Sequence, residues 1–284
     1  MNTTLTILAL YLVGVFALAW YFSRNQNLEA YFLNNKKTGL WLMTLSTIAS
    51  VIGAGGVVGV VAEVYNTGIS YGVALPISYI VGMIVMGLIA HKIKELGDEH
   101  DARTLVDVFA SRYDTKNKIL VGILQMGLLT MWIGTLAIAV GSLASVLIDI
   151  PFSVALIAAA GTTILYTAVG GLQVDLITDF IQFWVIMFVF GAMAVIGFMD
   201  FGGIAPVIQQ LPAGHLDIFG FEGPAFFFGL ILFSGFVYAG NTSHWQRIFS
   251  AESPEVARKS FFLTIPFLAG FALVVLFCGL MAAA

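Results

Sequence analysis

The sequence predicts an all-α, polytopic membrane protein, a single transmembrane domain over residues 1–284 with about eight membrane-spanning helices. Three observations carry this. Hydrophobic residues make up 60% of the chain and charged residues 10%, with a mean hydropathy of +0.97, whereas soluble domains average roughly 45–50% apolar residues. Apolar runs of the ~20 residues that cross a bilayer recur along the whole length. When those runs are threaded back and forth, all 12 Lys and Arg residues fall on one side.

The spans read from the apolar runs are 4–23, 40–63, 72–91, 119–148, 151–171, 174–198, 225–246 and 261–282. The first has no basic stretch before it and no small-residue cleavage pattern after it, so it is expected to be a retained helix rather than a removed leader. Turn and polar signals separate the others: Asn66-Thr67-Gly68, Asp149-Ile150-Pro151, Gly170-Gly171, Gly202-Gly203, and Ser250 to Ser260 with Pro254. The connection 91–118 is charged and contains RTLVDVFASRY, where Thr104 and Asp107 have capping-box spacing ahead of a short amphipathic helix. The connection 199–224 is rich in Gly and Pro and has few charges.

Basic residues follow the first, third and seventh spans. By the positive-inside rule that face is cytoplasmic and the amino terminus lies outside. Cys278 is the only cysteine, which excludes an internal disulfide and a cysteine-built metal cluster. A membrane-embedded enzyme needs a nucleophile with a base, or a metal cluster, at membrane depth. His91, His100, His215 and His244 are scattered over both faces, and neither His-Glu-x-x-His nor Gly-x-Ser-x-Gly occurs. No nucleic-acid partner and no organic cofactor is expected. Asn241-Thr242-Ser243 fits the glycosylation pattern on the wrong face.

The second span carries SVIGAGGVVGVV, residues 50–61, with Gly53, Gly55, Gly56 and Gly59 at its centre. The pattern is not that of a dinucleotide-binding turn, since Val58 stands where the third glycine belongs and no strand precedes it. Two readings remain. Gly55-x-x-x-Gly59 suits close helix packing. Alternatively, glycines that each weaken a helix by about 1 kcal/mol relative to alanine open it, freeing carbonyls that survive in a membrane only inside protein or facing a polar cavity.

Other residues separate these readings. The segments LEAYFLNNKKTG and LWLMTLSTIASVIGAGGVVGVVAEVYNTGISYG, then LYTAVGGLQVDLITDFIQ, then GNTSHWQRIFSAESPEVARKS resemble, in order and spacing, the motifs of the sodium:solute symporter family. The resemblance covers nearly the whole chain and implies a LeuT-type fold of two inverted five-helix repeats after one extra amino-terminal helix. On that map 4–23 is the extra helix, 40–198 the first repeat, and 225–284 the beginning of a second repeat that is incomplete here. The function it implies is sodium-coupled import of a small organic solute by alternating access. The alternative is a non-transporting fragment, sensor or subunit of such a transporter.

The resemblance also places sites. Backbone carbonyls of Ala49 and Ile52 fall where the family holds sodium, and Asp179, in Thr178-Asp179-x-x-Gln182, falls on its sodium exit path or by an additional sodium site and is expected to act as a cation relay. The competing reading makes Asp179 an interfacial carboxylate at a helix start, a role equally open to Asp175 and Thr178. Val51 stands where some proline carriers have aspartate and sugar carriers asparagine, and Gly55 and Gly56 replace polar side chains of sugar carriers. A pocket of that kind offers main chain and space to a small solute. Gln125, Ser234 and Tyr238 are further pocket candidates, and Asn241 falls at a gate. Sodium, the solute and the lipid bilayer are the expected partners.

Overall fold

The computed structural model describes residues 3–24, 26–53 and 55–284, with Thr4 and Gly55 described as backbone only. Its helices are α1 (Thr3–Ser23), α2 (Leu28–Leu33), α3 (Leu40–Ile52), α4 (Val60–Thr67), α5 (Ile69–Glu99), α6 (Leu105–Arg112), α7 (Thr115–Ile148), α8 (Phe152–Phe201), α9 (Ile204–Gln210), α10 (Gly223–Val237), α11 (Thr242–Ser250) and α12 (Pro254–Ala283). Six of them are long and apolar enough to cross a membrane, and α3 with the segment through α4 makes a seventh, bent span.

The eighth expected span lies inside α8. A straight helix of 50 residues would be about 75 Å long, well over twice the hydrocarbon core of a bilayer. Gly171 divides it with φ 60 and ψ −162, a conformation open to glycine. A Cβ there would lie 2.5 Å from the Tyr31 carbonyl oxygen, so the α2 backbone also packs directly on the break. The Gln26 amide and the Tyr31 hydroxyl donate to the Gly170 and Ala168 carbonyls, satisfying oxygens the break exposes.

Three boundaries differ from the sequence reading. The run read as 225–246 ends its helix at Val237, continues as a 3-10 turn over Tyr238–Gly240, and restarts at α11 after an extended Asn241. Hydropathy does not register the break itself, because the apolar run carries on through Tyr238 and Ala239 into the 3-10 turn. α12 begins at Pro254, before its apolar run, because Ser253 caps it by accepting the Val256 N–H. The connection 199–224 contains α9 and then folds back, with the His215 carbonyl accepting the Ile69 N–H at 2.8 Å.

The expected capping box is present. Thr104 accepts the Asp107 N–H while Asp107 accepts the Thr104 N–H, starting α6 where the spacing places it. Thr104→Ala should lower stability by about 1 kcal/mol, read by unfolding in mixed micelles; an unchanged midpoint would remove the cap from the account.

α5 is central and closely approached. Tyr238 packs on Gly82 and Phe249 on Gly97, where any Cβ would overlap the rings. α12 lies along α5 and α4, and α3 against the second half of α8. Met43, Ile48, Met83, Met86, Phe183, Phe249 and Phe261 fill the space between, each buried. α7 and the first half of α8 pair through Gly141 against the Leu156 backbone. Their remaining apolar side chains face outward, the pattern of a surface solvated by lipid.

Candidate functional site: a broken helix beside a buried ion pair

α3 stops at Ile52, Gly53 leaves the helical region at φ −43 and ψ −172, and a π-helical turn over Gly55–Gly59 leads into α4. The two halves of the span are bent by 53°. The close-packing reading of Gly55-x-x-x-Gly59 needs a neighbour against Gly59, and a Cβ on Gly59 meets no described atom within 4 Å. Gly56 is different, because its Cβ would lie 2.6 Å from the Val51 carbonyl oxygen. Glycine is therefore needed at position 56 to let the chain turn back on the end of α3.

Ala49 and Ile52 belong to the last turn of α3, where carbonyls lose their intrahelical partners. A cavity of about 20 Å³, room for about one water, borders the break and is lined by Ile52, Gly56, Tyr79, Leu268 and Phe271 among others.

The last two turns of α3 face a charged cluster. Ser46 and Ser50, four residues apart on one face of α3, donate to Asp179 Oδ2 at 2.8 and 2.9 Å. Arg247, on α11, donates through Nη2 to the same oxygen at 2.8 Å and to Asp175 Oδ2 at 3.4 Å. Its Nε donates to Ser46 Oγ at 3.3 Å, and Nη2 also reaches Ser50 Oγ. The Arg247 side chain is 5% exposed and that of Asp179 13%. One guanidinium thus faces two carboxylates and two hydroxyls inside the protein, an arrangement that offsets its loss of water.

α11 is held so that Arg247 reaches this point. Asn241 caps its start by accepting the Ser243 N–H, and the Gln125 side chain from α7 donates to the Gly240 carbonyl and accepts the Thr242 N–H. Lys94 Nζ donates to the Phe249 carbonyl at its other end, where a cation favours the helix dipole. His244, one turn before Arg247, is buried with its Nδ1 unpartnered among the described residues.

The model of the sodium:solute symporter family matches residues 31–284. The chain belongs to the sodium:solute symporter family. Among similar members, the sodium/proline symporter of Staphylococcus aureus is 26% identical over 94% of this chain and 53% of that protein. The sodium/pantothenate symporter of Escherichia coli (strain K12) is 26% identical over 72% of this chain and 43% of that protein. The chain therefore spans about half the length of the curated relatives it matches. A solved Na+-coupled sialic acid symporter superposes with a TM-score of 0.82 at 15% identity, over 98% of this chain and 60% of that one. That likeness carries the fold, a partial LeuT-type bundle.

In this symporter-family chain the expected site residues separate into groups. Ala49, Ile52, Val51 and Gly56 lie together at the break, with Val51 buried and its carbonyl against Gly56; Gly55 is described only as backbone. Tyr238 is buried behind the break, its ring edge-on to Tyr79 at 5.8 Å. Ser234 is half-buried on α10 and does not line the break cavity. Gln125 has its amide committed to the α10–α11 junction, and Asn241 is the α11 cap.

The helix-start reading of Asp175, Thr178 and Asp179 is corrected. The second half of α8 resumes after Gly171, so all three lie inside it, and Thr178 donates back to the Val174 carbonyl. Arg247, Ser46 and Ser50 were not among the expected site residues. Their signals are the four-residue spacings Ser46–Ser50 and Asp175–Asp179, each of which puts two side chains on one helix face, and an arginine that only pairing makes tolerable at depth.

Proposed function

We propose that this chain works as a sodium-coupled secondary transporter that imports a small organic solute by alternating access. The supporting observation is the broken span ending beside partly buried Asp179, with Ser46 and Ser50 joining the two. Freed carbonyls of Ala49 and Ile52, the serine hydroxyls and a carboxylate are all hard oxygen donors, the kind that suit a small hydrated cation. Sodium enters at the carbonyls, Asp179 relays it inward, and the solute sits at the break against main chain near Val51 and Gly56. Rocking of one helix group against the other then exposes both to the opposite side. In this arrangement the amino terminus is outside, residues 40–198 form the first repeat, and 225–284 open the second.

One sodium suffices for accumulation. A charge crossing ~100 mV releases about 2.3 kcal/mol and a tenfold gradient about 1.4, together enough for a few hundred-fold enrichment.

The test is tracer uptake of candidate solutes, amino acids and carboxylates first, into proteoliposomes under an inward sodium gradient. Uptake that needs sodium and collapses with the gradient is expected. Uptake indifferent to sodium would refute the coupling. The second reading is a non-transporting subunit or fragment of such a transporter. It predicts sodium binding without uptake, with uptake appearing when the chain is extended or joined by the remaining helices.

A further inference from the structure

We propose that Arg247 is a built-in stand-in for the coupling cation, holding Asp179 when sodium is absent and passing to Asp175 when sodium arrives. The exchange deepens the reading of Asp179 as a cation relay and rests on it. Three features of the cluster point to it.

The first is the position of the guanidinium. Its Nη2 lies 2.8 Å from the Asp179 oxygen that also takes both serine hydroxyls, so Arg247 already fills the place a cation would take. Sodium and guanidinium carry the same single charge, and two such charges on one oxygen in a poorly screened interior repel. They exclude each other.

The second is the pair of carboxylates. Asp175 precedes Asp179 by four residues on one face of α8, and its Oδ2 is already 3.4 Å from the same Nη2. A small swing of the side chain moves the guanidinium from one carboxylate to the other, so each state keeps the buried charge paired. With sodium bound, Asp179 holds the ion and Asp175 holds Arg247. Without it, Arg247 bridges to Asp179 and fastens α11 to α3 and α8.

The third is what does and does not move. The carboxy end of α11 is pinned by Lys94 on the Phe249 carbonyl and by the Thr38 N–H on the Ser250 carbonyl. The pivot is therefore the long arginine side chain. The hydroxyls of Ser46 and Ser50 adapt, donating to the carboxylate in one state and turning lone pairs toward a cation in the other.

The test is equilibrium binding of radioactive sodium to the purified chain in lipid nanodiscs, with potassium as the replacing ion. Arg247→Gln should bind sodium more tightly by about tenfold, within the usual range of coupling between interacting groups. Millimolar guanidinium added to that variant should restore the wild-type affinity. Asp175→Asn, which removes the alternative acceptor, should weaken binding, and this weakening should vanish in the Arg247→Gln background. Asp179→Asn should abolish binding.

If Arg247→Gln does not yield a monodisperse protein, Arg247→Lys serves. Its ammonium is a compact charge without the planar fork and should give intermediate tightening. Equal or weaker sodium binding in the Arg247 variants, with binding lost in Asp179→Asn, overturns the exchange and leaves the relay standing. Undiminished binding in Asp179→Asn, or none in the wild-type chain, removes the relay and the exchange with it.

Discussion

Asp179→Ala is expected to destabilise the fold by about 3–5 kcal/mol, the cost of stripping one partner from a buried ion pair. The surviving group is the problem. Arg247, 5% exposed, would keep only the more distant Asp175 as an ionic partner, while Ser46 and Ser50 would both lose their acceptor. An exposed pair would behave otherwise. Lys118 pairs with Asp107 at 4.0 Å with side chains 49% and 38% exposed, and replacing Lys118 should change stability by less than about 1 kcal/mol. The decisive comparison is the double variant Asp179→Asn, Arg247→Gln. With both charges gone and polar groups still able to pair, it should recover most of the loss, and the cycle should give a large coupling. Unfolding in mixed micelles provides the readout. A single variant within about 0.5 kcal/mol of wild type, typical of an unremarkable surface site, would mean that the pair is hydrated and that its burial does no energetic work.

How much of this could be read from the sequence depends on the kind of signal. Span existence was legible, because apolar residues over ~20 positions leave little choice in a membrane. Local starts with side-chain caps were legible where a motif names both partners, as at Thr104 and Asp107. The α10–α11 restart was not, since Asn241 is a cap only if the preceding turn has already left the helix, and that depends on Gln125 reaching across from α7. The break in the second span was half-legible. Glycines signal that a helix is weak, but whether it opens or packs is decided by neighbours. Gly59 turns out to have open space and Gly56 a carbonyl.

The site was legible in parts but not as a cluster. Asp179 stood out because a carboxylate in an apolar run needs a reason. Arg247 lies 68 residues away along the chain in a segment whose charges suggested a loop, so nothing local joined the two. Ser46 and Ser50 are unremarkable alone, because serine hydroxyls in membrane helices usually return to their own backbone. Only the approach of α3, α8 and α11 turns four ordinary positions into one electrostatic unit. Gln125 shows the complementary ambiguity: a polar side chain in a membrane helix suits a pocket or a neighbouring helix, and here its amide donates to the Gly240 carbonyl exposed where α10 ends.

Gly56→Ala should cost about 1–3 kcal/mol, as for other insertions into filled space, and should weaken sodium binding by more than tenfold if the carbonyls of Ala49 and Ile52 hold the ion. The added methyl would stand 2.6 Å from the Val51 carbonyl oxygen, a backbone atom that cannot swing aside as a flexible side chain does. Either the turn opens or the end of α3 shifts, and each changes where the last carbonyls point. Gly59→Ala is the matched control. It adds the same methyl three residues later, where no described atom lies within 4 Å, and should be neutral or stabilising by up to about 1 kcal/mol through helix propensity. Had the glycines served close packing, Gly59→Ala would be the damaging change and Gly56→Ala no worse. The order of the two variants in stability and in sodium affinity, measured on the same preparations, therefore separates a helix opened to bind an ion from a helix thinned to meet a neighbour.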